Sequence, residues 1–135
     1  MSGFEETTPA ITRTQIARFA GAAGDFNPMH HDEIFAQAAG EPSVFAMGQM
    51  TAAILGDAVA RRLGAGSVTG YGVRFKDKVR PGDVLVLRGV DAADAAVSGG
   101  RRLTLTVVRQ ADGVEVLTGW ATAGGSPGLT FTKGA

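Results

Sequence analysis

VFAMGQMTAAILGDAVA, residues 44–60, decides how this chain of 135 residues packs. It is the longest apolar stretch, interrupted by Gln49 and Asp57. It falls short of the roughly 20 residues that span a bilayer. The pattern predicts a helix over about 45–63 that stays apolar on almost every face until Arg61 and Arg62. A helix apolar all round is normally buried inside a protein rather than laid on its surface. Something has to surround it.

The residues after it supply the wrapping. From Gly66 onward the texture is that of strands: SVTGYGVRFK (67–76) alternates loosely, VLVLRGVD (84–91) follows a turn built on Pro81 and Gly82, and RRLTLTVVRQ (101–110) has a clear period of two. ADG at 111–113 signals a tight hairpin that VEVLTGWATA (114–123) completes. On the other side, TQIARFAGAA (14–23) spaces Ile16, Phe19, Ala20 and Ala23 by three and four, a short helix capped by Thr12 or Thr14 and stopped by Gly24. DEIFAQAAG (32–40) reads as a second short helix with Asp32 and Glu33 at its N-terminal end. Helices followed by antiparallel strands make an α+β fold, most economically a curved antiparallel sheet around the long helix. Such a sheet leaves an edge to cover, which favours a homodimer.

Composition narrows the function. The length suits one domain, residues 1–135, with an ordered core over about 10–123 and a Gly- and Pro-rich tail over 124–135. Thirteen basic and thirteen acidic residues cancel, so neither nucleic acid nor an anionic membrane is an expected partner. The absence of cysteine removes disulfides, thiolate nucleophiles and thiolate metal sites. The N-terminal residues lack a basic segment followed by an apolar core, so a cytoplasmic protein without a signal peptide is expected.

Against that plain background GDFNPMHHD (24–32) stands out, because it holds both histidines of the chain beside Asp25, Asn27 and Asp32. Pro28 fixes its own φ and biases Asn27 toward extended geometry, and the Asn27 amide can stiffen the turn. A loop held this way can aim the Asp25 carboxylate and the His30 imidazole at one water molecule, a general acid/base pair. Spacing alone leaves the other reading open, a structural Asx-Pro turn with exposed polar groups. Asp25, His30, His31 and Asp32 offer ligand atoms for a metal, but adjacent histidines diverge and no third completes a familiar site, so no metal is expected.

FAGAAGDFNPMHHDEIFAQAAG (19–40) resembles the hydratase motif of the MaoC-like dehydratases, the (R)-specific enoyl-CoA hydratases. Asp25, Asn27, Pro28 and His30 match that motif, and VRFKDKVRPGDVL (73–85) resembles the strand–turn–strand of hot-dog proteins. The resemblance implies a hot-dog fold and reversible syn addition of water to a trans-2-enoyl thioester, giving an (R)-3-hydroxyacyl thioester. It implies that Asp25 and His30 together activate water and return a proton to C2, with no further cofactor. The substrate partner is an acyl thioester of coenzyme A or of acyl carrier protein.

The family's thioester carbonyl meets a backbone N–H near the Gly of a His-Gly-Met segment. Here Met47-Gly48-Gln49 stands in its place, keeping the glycine and changing its neighbours. Asn27, Met47 and Gly48 are therefore the substrate-binding candidates, with plain core packing the alternative for Met47. Ser67, or Thr69, is a hydroxyl at the start of the first strand that can reach the pair, unless it is simply exposed. His31 is expected to be solvated, Asp32 to serve a helix N-terminus, and Tyr71 and Trp120 to lie on sheet faces. Arg74, Lys76, Lys78 and Arg80 alternate, which suits the phosphates of coenzyme A or an acidic carrier protein as well as plain solvation. Two rivals remain: a hot-dog thioesterase, and an acyl-thioester-binding subunit paired with a second hot-dog chain in a heteromeric dehydratase.

Overall fold

Period-two alternation sends one set of strand side chains toward the long helix and the other to solvent. The computed structural model describes residues 3–92 and 100–124. Its strands are β1 (Gly3–Thr7), β2 (Val68–Phe75), β3 (Leu85–Asp91), β4 (Gly100–Arg109) and β5 (Glu115–Gly124). Its helices are α1 (Arg13–Ala23), α2 (Glu33–Ala38) and α3 (Gly48–Leu63), with a 3-10 turn at Pro28–His30. All strand pairs are antiparallel in one open sheet of order β1-β3-β4-β5-β2. This is the hot-dog arrangement expected from the sequence, with α3 lying against the sheet.

The inner face presents Leu85, Leu87, Leu103, Leu105, Val107, Leu117 and Ala121, all buried. They form one cluster with Met50, Ala52, Leu55, Ala58 and Val59 of α3. Burying each of those leucines stabilises the fold by about 1.5–3 kcal/mol. On the outer face the Trp120 indole lies across Gly70 and Gly72, where an added Cβ would come within 2.9 and 2.6 Å of the ring. Arg102 sits over the same indole at 5.2 Å, so Trp120 is a sheet-face residue as expected.

Three features differ from the sequence reading. Helix α3 starts at Gly48, not about 45, because Val44–Met47 is extended: the N–H groups of Val44, Phe45 and Ala46 donate to Glu33 Oε1, the Met29 carbonyl and the Val79 carbonyl. Nor is α3 covered all round. It buries Met50, Thr51, Ala52, Leu55, Ala58 and Val59 but leaves Gln49, Ala53 and Asp57 exposed. Third, β1 precedes residue 10; GFEET carries no apolar alternation and is ordered by its ladder to β3, from Gly3↔Val90 to Thr7↔Val86. Residues 125–135 of the anticipated tail lie outside the described residues. Among the described residues no helix is long and apolar enough to cross a membrane.

Candidate active site

Local chemistry builds the 24–32 loop almost unaided. Thr12 caps α1, its hydroxyl accepting from the Gln15 N–H at 3.0 Å, and Gly24 stops the helix at φ 70°, a left-handed conformation that suits glycine. The Asp25 N–H then returns to the Ala20 carbonyl at 3.0 Å. Asn27 Oδ1 accepts from the Met29 N–H at 3.0 Å, an Asx turn that launches the 3-10 turn through Pro28. Asp32 closes the loop by capping α2, accepting from the Phe35 N–H at 3.1 Å. Asp25 and His30 leave this loop on the same side.

His30 is the decisive group. Its ring is 8% exposed, and Nδ1 lies 2.7 Å from the Phe45 carbonyl oxygen. A carbonyl can only accept, so Nδ1 carries a proton, and in the neutral form of the ring Nε2 keeps its lone pair. Nε2 faces Asp25 Oδ2 at 3.5 Å. Two acceptors thus confront each other at more than hydrogen-bond length. A water reaching both must donate one hydrogen to each, which turns its oxygen lone pairs outward.

Both groups line a cavity of about 510 Å³ with Met47, Gly48, Gln49 and Phe75. Met47 is the N-cap of α3 and supplies no side-chain bond to it, so the first turn of the helix, whose Gly48 and Gln49 line the cavity, has no side-chain cap. The cavity holds a second carboxylate, Asp77. The Lys78 N–H and Arg109 hold its carboxyl below the usual range, so it stays ionised and committed. Tyr71 keeps its proton at neutral pH and is engaged away from the pair. Burial pushes its phenol up to about 12, and its hydroxyl donates to the Ala52 carbonyl at 2.6 Å. A second cleft, about 620 Å³ between β1, α1 and the open face of α3, contains no acid–imidazole pair.

The structure therefore brings Asp25, His30, Met47 and Gly48 together. Asn27 stands behind them as the turn-former, its own N–H donating to Asp25 Oδ1 at 3.3 Å. Ser67 is elsewhere: its hydroxyl donates to the Leu63 and Gly64 carbonyls and closes the C-terminal end of α3, roughly 24 Å along the helix from Gly48. Thr69 bonds Thr122, and His31 is exposed. Three of the four alternating cations are already engaged in ion pairs. Lys76 pairs with Glu115, while Lys78 and Arg80 both grip Glu41. Among the described residues no group of three or more His, Asp or Glu side chains converges as a metal cluster would.

The Glu41 grip has a measurable consequence. Lys78 and Arg80 hold the Glu41 carboxyl below its ordinary value of 4.5. A depressed folded-state pKa adds stability above the unfolded value and loses it as pH falls through the folded one. On acidification from about pH 6 to about pH 3, the melting temperature of the parent should fall more than that of Glu41→Gln. Parallel curves would remove Glu41 from the acid response.

An acid–imidazole pair beside the start of a sheet-backed helix is the candidate active site on this hot-dog scaffold. Residues 4–112 match the description "MaoC like domain", and the chain belongs to the MaoC-like domain family. Among named relatives, the enoyl-CoA hydratase ChsH3 of Mycobacterium tuberculosis is 36% identical over 100 residues, 71% of this chain and 32% of that protein. The fatty acid synthase beta subunit aflB of Emericella nidulans is 29% identical over 126 residues, 90% of this chain and 6% of that protein. The chain thus spans a third or less of the length of both. The solved R-hydratase PhaJ1 of Pseudomonas aeruginosa superposes with a TM-score of 0.79 at 29% identity, covering 89% of this chain and 77% of that one.

Proposed function

We propose that this protein reversibly hydrates trans-2-enoyl thioesters to (R)-3-hydroxyacyl thioesters. The observation that carries the reading is the 3.5 Å pairing of His30 Nε2 with Asp25 Oδ2 in a cavity that also holds the start of α3. Water held by its two hydrogens presents a lone pair to C3 of the substrate. As the new C–O bond forms, the pair takes one water proton and the C2–C3 π electrons move onto the thioester oxygen as an enolate. The Gly48 N–H and the positive end of the helix dipole stabilise that oxygen. Collapse of the enolate takes a proton from the pair at C2 on the same face, so atoms and charge balance. Because the two groups titrate as a unit, base and acid are roles of the pair.

Lys76 and Lys78 stand at the cavity and give an anionic carrier, coenzyme A or acyl carrier protein, a place to lie. The open edge of β2, with Tyr71 and Phe75 exposed beside it, is the surface on which we place a second hot-dog chain, most simply another copy. The test is loss of enoyl-thioester ultraviolet absorbance with crotonyl-coenzyme A and longer enoyl homologues. Loss without release of free thiol supports a hydratase. Thiol release would make it a thioesterase, and no change with any chain length would leave only acyl binding.

A further inference from the structure

The segment between α2 and α3 carries the carbonyl that fixes the His30 tautomer, yet it has no regular structure of its own. Something must hold it. One guanidinium contacts it twice: Arg80 Nη1 donates to the Ser43 carbonyl at 3.0 Å, and Nη2 reaches Glu41 Oε2 at 2.5 Å. Arg80 is itself fixed, because its N–H donates to Asp83 Oδ2 at 2.8 Å and the Asp83 N–H returns to its carbonyl at 3.1 Å. Next to it the Val79 carbonyl accepts from the Ala46 N–H at 2.7 Å, adjacent to Phe45. The Phe45 ring completes the block, edge-on to the His30 imidazole with centroids 5.2 Å apart.

We infer that Arg80 is a positioning residue for His30: by forking onto Ser43 and Glu41 it presents the Phe45 carbonyl to Nδ1 and so keeps Nε2 unprotonated toward Asp25. This rests on the hydratase reading for its effect on rate, though not for its effect on the ring. The cation that the sequence offered as a phosphate ligand is spent inside the protein, with a side chain only 26% exposed. Without the fork this segment, the strap, keeps its bonds to Glu33, Met29 and Val79 and the Lys78 contact to Glu41, but loses the Arg80 contacts to Ser43 and Glu41. Histidine in water prefers the Nε2–H form. In that form Nε2 would donate to Asp25, close the gap and leave no lone pair on the ring for water.

Long-range proton–nitrogen NMR on histidine-labelled protein reads the tautomer directly, and the chain has only two histidines. Exposed His31 serves as the unconstrained reference. The parent should show His30 as Nδ1–H and His31 mostly as Nε2–H. In Arg80→Ala, His30 should move toward the His31 pattern, kcat should fall about tenfold, and KM should stay within about twofold. Arg80→Lys, whose single ammonium cannot fork, should fall between the two and carries the same test if the alanine variant does not fold. A His30 that keeps its Nδ1–H signature in the folded variant overturns the inference, and so does a lost signature with unchanged kcat. If the parent turns over no enoyl thioester, the hydratase reading fails while the tautomer measurement still decides the role of Arg80.

Discussion

Asp25→Asn should lower turnover of the enoyl thioester by about a hundredfold or more, the scale on which general acid/base groups act. The geometry makes the asparagine worse than a mere loss of charge. Its amide can donate into the Nε2 lone pair across the 3.5 Å gap, occupying the site where water must bind. Stability should change little, because the Asp25 side chain is 42% exposed and, among the described residues, its further bond is a 3.3 Å contact from the Asn27 N–H. His30→Ala should cost a similar factor in rate. The double variant should be hardly slower than either single one, because groups that act as a unit lose their effect together. Steady-state kinetics on the three variants, with melting curves beside them, decides the matter. Near-normal rates in either single variant, or losses that multiply in the double, would dismantle the pair.

The second large effect is expected at Gly48. A Cβ there would lie 2.9 Å from Cδ1 of Phe75, a residue that is 49% exposed, so a side-chain ring and not backbone has to give way. Gly48→Val should therefore fold with a small change in melting temperature. Its branched side chain would nonetheless crowd the first N–H of α3 at the point where the thioester oxygen is stabilised. Loss of one such donor costs roughly a hundredfold to a thousandfold in rate. Gly48→Ala should fall between the two. If rate and stability declined in step, the glycine would be serving packing alone; an unaffected rate would move the oxygen elsewhere.

Legibility in the sequence followed the range of the interactions. The 24–32 loop, α1 and the β4–β5 hairpin could be read because their caps, Asx turn and tight turn lie within a few residues of one another. Thr12, Gly24, Asn27 and Pro28 are local signals. Strand β1 was not readable, because its order comes from a ladder to residues about eighty positions away. The strap was hidden for the same reason: its partners are Met29, Glu33, Val79 and Arg80, and no period marks an extended segment pinned at separate points. Ser67 illustrates the converse error. A hydroxyl just before a strand looks available, but the helix end preceding it offers two free carbonyls closer than any substrate.

The route by which the strap is pinned also sets when this protein can begin to work. Asp25 and His30 leave the ribosome first, whereas Val79 and Arg80 follow about fifty residues later, several seconds at ordinary rates of synthesis. Until then the Phe45 carbonyl has no bond from the Ser43–Arg80 contact or the Ala46–Val79 contact to steady it. The acid–imidazole loop is thus made long before it is armed. A nascent or truncated chain ending short of the 80–83 turn carries every residue of the pair but lacks the Val79 and Arg80 contacts that complete its alignment.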